Sequence, residues 1–333
     1  MKKLLPIILI FHFCRIGFTQ IMPYDSLMFR INELEKAKAY DQALLFVKQH
    51  LSEYPEQWFE LSKELIFLNE KNNGIEDNPA IFNEAHRRGY FYFIHPRMKE
   101  YKDYLDIPGF DSISKIDLQL AAEANRKSST RFEIQLPDSY EIDHAYPLVF
   151  LLHGGGKNLN DVKQHWQGEY LNRAFIKVYL QSYRHFDSKT FGWGNKDEKL
   201  DQEITAIYKQ IVEQKKVDSS MVFVCGISAG ASAALDLSLR NIIPARGVLA
   251  ICPPIPQILR EKNFDLVSNR NLQVLVVAGV NDHFLEQQKQ MNILLDQLKI
   301  THQHIILEGM GHQYPENETK YFKEFIDGLN LKN

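Results

Sequence analysis

Met221-Val222-Phe223-Val224-Cys225-Gly226-Ile227-Ser228-Ala229-Gly230 decides the fold. An apolar run ends in a serine flanked by glycines, and Ala231 to Arg240 follows with the composition of a helix. A serine on a tight turn from strand into helix has its hydroxyl lifted above the sheet, and the glycines leave room for a strained backbone. By itself, Gly-x-Ser-x-Gly arises by chance in roughly one chain in ten of this length. Its meaning depends on what surrounds it.

Upstream, Tyr146-Pro147-Leu148-Val149-Phe150-Leu151-Leu152 reads as a buried strand running into His153-Gly154-Gly155-Gly156. Glycines after a strand let backbone N–H groups point into open space, as an oxyanion requires and a Cβ would obstruct. Downstream, the strand Asn271 to Gly279 leads into Val280-Asn281-Asp282-His283, and a last strand, His302 to Leu307, leads into Glu308-Gly309-Met310-Gly311-His312. The chain order is therefore serine, acid after a late strand, histidine after the last strand.

With these segments the sequence resembles the α/β-hydrolase superfamily over about residues 130–330. It is most similar to secreted esterases near the phospholipase/carboxylesterases and the feruloyl or acetyl-xylan esterases. The stretch Phe191-Gly192-Trp193-Gly194-Asn195-Lys196-Asp197, then a helix to Val217-Asp218, then the serine turn, is similar to their layout. The resemblance implies Ser228 as nucleophile, His312 as base and Asp282 as the residue that orients it. It also implies backbone oxyanion donors at Gly155 (or Gly154) and Ala229. Many relatives carry glutamine after the nucleophile where this chain has Ala229, but a backbone N–H survives that change. Such a hydrolase needs no metal and no organic cofactor.

The chemistry explains why these residue types are needed. A serine hydroxyl is a poor nucleophile at neutral pH without a base in hydrogen-bond reach. Histidine, with an ordinary pKa of about 6.5, can take the proton and return it to the leaving group. A buried carboxylate fixes the ring tautomer and stabilises the imidazolium as it forms. Asp282 competes for that role with Asp265, Glu308 and the neighbouring His283. Asp265 has no strand directly before it, and Glu308 sits on the strand side of the final turn. His302 and His304 alternate along the last strand and read as strand residues, so His312 leads. His153 reads as a brace of the glycine loop through backbone hydrogen bonds.

The alternation of strands (Arg131 to Pro137 and Ala174 to Gln181 among them) with amphipathic helices (Glu203 to Lys216, Phe284 to Leu298) predicts an α/β fold. The expectation is a mostly parallel sheet flanked by helices, preceded by a small helical domain. About twenty residues separate the strand ending at Cys252 from the acid-bearing strand, too few for a large inserted lid. Tyr183, Phe186, Phe191 and Trp193 share one loop, and Phe191 and Trp193 are candidate substrate contacts. Cys225 and Cys252 end neighbouring strands, where disulfide geometry is rare, so two buried thiols are expected.

Of 333 residues, 44% are hydrophobic and 24% charged, with a net charge of −3, so a large soluble core can form and two domains fit. No basic patch, phosphate-binding glycine loop or His-Glu-x-x-His motif is present, and a nucleic acid partner is not expected. Lys2 and Lys3, the apolar stretch Leu4 to Cys14, and the small residues Gly17 and Thr19 predict a signal peptide over residues 1–20, too short to span a bilayer. Lipid anchoring at Cys14 is disfavoured by the bulky His12 and Phe13. The expected destination is the bacterial periplasm or exterior.

Residues 21–115 differ in character. Leu27 to Leu51 and Gln57 to Leu68 carry apolar residues at helical spacing. Tyr40, Ala43, Val47 and Pro55 resemble the second helix of a tetratricopeptide unit, and Ala85 to Ile113 resembles the segment that closes such repeats. One and a half repeats cannot form a binding superhelix, so the segment reads as a helical domain, with peptide binding the alternative. The hydrolase then spans 116–333. The expected activity is a secreted serine hydrolase acting on small-molecule or polysaccharide-linked esters. The alternatives are a prolyl-oligopeptidase-type peptidase and a helical-repeat scaffold with a passenger hydrolase.

Overall fold

The computed structural model describes residues 21–194, 196–261 and 271–330. The expected signal peptide with Cys14, Asn195 of the aromatic loop and the rival acid Asp265 lie outside these residues. The chain divides into two compact units, one ending at Arg87 and the other starting at Arg88.

The first unit is helical: α1 (Tyr24–Lys36), α2 (Tyr40–His50), α3 (Trp58–Lys71) and α4 (Asn78–Arg87). Leu27, Ile31 and Leu34 recur at helical spacing on α1. They pack with Ala43 and Val47 of α2 and with Leu61, Leu65 and Leu68 of α3 in one core.

The second unit opens with an extended stretch and α5 (Phe110–Lys127). Residues 88–115, grouped with the helical segment in the sequence, fall within it. Asp117, fully buried on α5, accepts the N–H groups of Tyr92 (2.9 Å) and Ile94 (2.7 Å), and Ser114 donates to the Ile94 carbonyl. Phe91 in turn exchanges hydrogen bonds with Ser188, and Asn125 accepts the His185 N–H. A buried carboxylate needs such donors, and these stitch residues 88–128 to the loop after the third strand.

The sheet follows. Its elements in chain order are β1 (Arg131–Gln135), β2 (Tyr146–Leu152), α6 (Leu159–Lys163), α7 (Glu169–Ala174), β3 (Ile176–Gln181), α8 (Glu198–Gln214), β4 (Val217–Ile227), α9 (Ala229–Leu239), β5 (Gly247–Ile251), α10 (Gln257–Arg260), β6 (Gln273–Gly279), α11 (Leu285–Gln297), β7 (Thr301–Leu307) and α12 (Glu318–Asn330). The seven strands lie in the order β1-β3-β2-β4-β5-β6-β7. Only β1 is antiparallel to its neighbour. One boundary differs from the sequence reading: Val217-Asp218 is strand, not the end of a helix, because Val217 pairs with Tyr146 across a bulge.

Both faces of the sheet are covered. Val222 and Val224 of β4 face a core closed by α8, α9 and α11, while Phe223, Cys225 and Ile227 face one closed by α6, α7 and α12. Strands buried on both faces read as continuous apolar runs rather than alternating ones, which is why β2, β4 and β6 stand out in the sequence. Cys225 and Cys252 are buried free thiols.

Candidate active site

Ser228 sits between β4 and α9 with φ +55° and ψ −124°, a strained conformation for a residue with a side chain. The two flanking glycines permit it by close approach. A Cβ on Gly226 would lie 2.6 Å from the Gly230 carbonyl carbon, and one on Gly230 would lie 2.2 Å from the His153 carbonyl oxygen. The Ser228 N–H donates to Ile251 O at 2.8 Å, fixing the turn to the end of β5.

His312, on the loop after β7, bridges the other two residues. Its Nε2 is 2.8 Å from Ser228 Oγ, and its Nδ1 is 2.9 Å from Asp282 Oδ1. Asp282, just past β6, is buried. Burial works against its charge, but the Phe284 N–H, the Gln288 amide and His312 all hydrogen-bond the carboxylate and, with the Cys252 thiol nearby, hold it below its ordinary pKa. Nδ1–H therefore points at Asp282, and Nε2 is left as the acceptor facing the serine hydroxyl. The arrangement can draw a proton from Ser228 and hold it on an imidazole steadied by a charge.

The other acids and histidines stand elsewhere. Glu308 is exposed on the turn after β7. His304 Nδ1 pairs with the Asn292 amide, and His302 Nδ1–H donates to Ile300 O. His283 is mostly exposed; its ring lies 4.4 Å from that of His312, and its Nδ1 is 3.7 Å from Asp282 Oδ1.

The glycine loop faces the serine turn. A Cβ on Gly155 would touch the Ala229 methyl at 3.4 Å, so Gly155 and Ala229 sit side by side. Ala229 is the first residue of α9, where N–H groups have no intrahelical acceptor. Gly154, Gly155, Ser228 and His312 line a cleft of about 490 Å³. His153 holds the loop: its Nδ1–H donates to Gly154 O at 2.6 Å and its Nε2 accepts the Ser182 N–H. Burial pushes its pKa down to about 4, so it is neutral at pH 7.

Phe191 and Trp193, the sequence candidates for substrate contact, are absent from the cleft lining. Trp193 Nε1–H donates to His153 O at 2.7 Å with its indole over the His153 ring. Phe191 accepts the Gly156 N–H and donates to Lys157 O. Their bulk supports the loop from behind. The remaining lining mixes polar residues (Lys157, Asp161, Gln164, His165, Gln313 and Tyr314) with the apolar Val162 and Ile227, and the His165 and Tyr314 rings stack at 3.6 Å. These residues carry no motif and come together mainly from the stretch 157–165, through α6, and from the loop after β7, so no local pattern could have marked them.

Among the described residues, the one group of donors close enough to share a metal is Cys252, Asp282 and His312, within 4.8 Å of one another. Asp282 and His312 are engaged in the hydrogen bonds above and the Cys252 thiol faces the Gly311 and Gln313 carbonyls, so the three read as a protein cluster rather than a metal cage.

Residues 183–330 match the phospholipase/carboxylesterase family. The chain is 32% identical over 110 residues to a protein described as a probable feruloyl esterase C of Aspergillus clavatus, covering 32% of this chain and 39% of that one. It is 26% identical over 133 residues to a feruloyl esterase D of Neurospora crassa, covering 37% of this chain and 45% of that one. The chain thus spans less than half the length of these curated relatives. A solved structure of an uncharacterized protein from Bacillus cereus covers 94% of this chain and 100% of its own, at 21% identity and a TM-score of 0.51, a likeness of fold.

Proposed function

The chain carries the α/β-hydrolase fold with esterases among its relatives, and on that premise we propose that it is a serine hydrolase cleaving carboxylic esters through an acyl-enzyme intermediate. The observation that carries this reading is His312 spanning 2.8 Å to Ser228 and 2.9 Å to the buried Asp282. Ser228 Oγ attacks the ester carbonyl as His312 Nε2 takes its proton. The tetrahedral oxyanion is met by backbone N–H groups of the glycine loop, at Gly155 or Gly154, and of Ala229. His312 then protonates the departing alcohol, and water repeats the sequence on the acyl-enzyme.

The cleft lining mixes polar side chains (Lys157, Asp161, Gln164, Gln313) with the apolar Val162 and Ile227, and it supports a small-molecule or polysaccharide-linked ester as substrate. The basic and apolar N-terminal stretch supports export to the periplasm or exterior, and N-terminal sequencing of the exported protein checks cleavage near residue 20. The described residues include no helix long and apolar enough to cross a membrane.

The test is a panel of short-acyl, feruloyl, acetyl-sugar and peptide substrates with the parent and Ser228→Ala. The parent is expected to turn over esters in preference to peptides. The variant should lose up to about 10⁶ in turnover. A fluorophosphonate should label the parent at Ser228 alone. Labelling at another residue, or undiminished turnover in the variant, sinks the reading.

A further inference from the structure

A carboxylate offers about four acceptor positions, and three of those on Asp282 are filled as described. Phe284 N–H and His312 Nδ1–H share Oδ1, and the Gln288 amide donates to Oδ2 at 2.8 Å. Beside the carboxylate stands Cys252, the residue directly after β5, whose sulfur lies within 4.8 Å of it and of the His312 ring. The same sulfur lies 3.7 Å from the Gly311 carbonyl oxygen and 3.6 Å from that of Gln313, the residues on either side of His312.

The backbone of Cys252 is committed as well. It is fully buried at φ +49°, a left-handed conformation uncommon outside glycine, asparagine and aspartate. Such strain persists only where the surroundings over-determine it, and here it accompanies a thiol placed against the Asp282 carboxylate. The Cys252 N–H donates to Val277 O at 2.8 Å, and its predecessor Ile251 accepts the Ser228 N–H. The end of β5 is thus bonded to the turn carrying Ser228, to the strand that leads to Asp282, and to the loop carrying His312.

We propose that Cys252 is a positioning residue of the site: its thiol, set beside the Asp282 carboxylate, ties the end of β5 to the backbone on both sides of His312, and so holds the imidazole against Ser228. This rests on the reading of Ser228, His312 and Asp282 as the reacting group. Burial and the neighbouring Asp282 charge push the thiol up to about 12, so it keeps its proton and acts as a donor rather than a nucleophile. With one hydrogen to give, it donates to one or the other of the two carbonyls that flank His312.

The experiment compares Cys252→Ala, Cys252→Ser and Cys252→Gly in the full chain. Removing the thiol's bond to the His312 loop is expected to lower kcat about five- to twentyfold. KM for a short-acyl ester should stay within about twofold, and the acid limb of kcat/KM should move. Serine, a shorter donor, should restore kcat to within about threefold of the parent. Glycine suits the left-handed backbone without strain, so it separates the thiol from the conformation. It should behave as alanine does, and it carries the comparison if alanine fails to fold.

Parent-like kcat in the alanine and glycine variants overturns the proposal. So does a loss confined to KM, or a loss in alanine that glycine repairs. A readout without substrate is the low-field ¹H NMR resonance of the His312 Nδ1 proton. It should shift or broaden in alanine and glycine and persist in serine, and an unchanged resonance in alanine also overturns the proposal. A parent that hydrolyses no ester and resists the fluorophosphonate would instead defeat the functional reading, and the NMR comparison would still decide the role of Cys252.

Discussion

Asp282→Asn is expected to keep the fold and cost about 10⁴ in turnover, because an amide at this position favours the wrong His312 tautomer. Glu308→Gln, at an exposed residue outside the cleft lining, should leave turnover within about twofold. A crippling effect at Glu308 in a kinetic comparison of the two would move the acid to the wrong side of β7. His153 gives a pH prediction of different kind. Its folded pKa is pushed down to about 4 by burial, against about 6.5 in the unfolded chain. Between those values the unfolded state binds the extra proton, so this contribution is fully present above about pH 6.5 and is lost as pH falls to about 4. The loss amounts to about 3 kcal/mol. Urea titrations at pH 4, 5.5 and 7 should show a shallower decline in His153→Gln than in the parent. At this scale the hydrogen-bonded Ser228, His312 and Asp282 were legible because each sits on a recognisable turn after an apolar run. Trp193 and Phe191 lie outside the cleft lining, and sequence could not show this because an aromatic residue facing a cleft and one bracing its wall look alike there.

The elements carry their own constraint where β4, α9 and β2 converge. Gly230→Ala would drive a methyl to 2.2 Å from the His153 carbonyl oxygen and 2.7 Å from that of Leu152, and backbone on both sides cannot yield cheaply. The expected result is a loss of about 1–3 kcal/mol in stability by urea unfolding. A larger fall in turnover should accompany it, since Ser228 and Ala229 move with the start of α9. Unchanged stability would mean that α9 can withdraw from β2. The strands β2, β4 and β6 are plain in the sequence because burial on both faces removes polar residues from them. The join at Val217 was not, since whether it ends a helix or begins a strand depends on its pairing with Tyr146.

For the whole molecule, the division at Arg87 and Arg88 predicts where the chain can be cut. A protein beginning at Arg88 should fold and keep turnover of a short-acyl ester. One beginning at residue 116 leaves Asp117 buried without Tyr92 and Ile94 and should unfold or aggregate, as circular dichroism and size-exclusion chromatography would report. Equal behaviour of the two would remove residues 88–115 from the hydrolase unit. The sequence by itself determined the α/β class, the chain order of serine, acid and histidine, and the helical character of residues 24–87, because apolar periodicity and turn chemistry are local properties. The tertiary structure alone decided that residues 88–115 are stitched to the loop after β3, that the cleft is lined by Lys157, Asp161, His165 and Tyr314, and that Cys252 and Gln288 close around Asp282. The first two depend on hydrogen bonds and packing between residues up to about a hundred and fifty positions apart, which no window of sequence contains together, and even Gln288, six positions from Asp282, is marked out only by the fold that buries the pair.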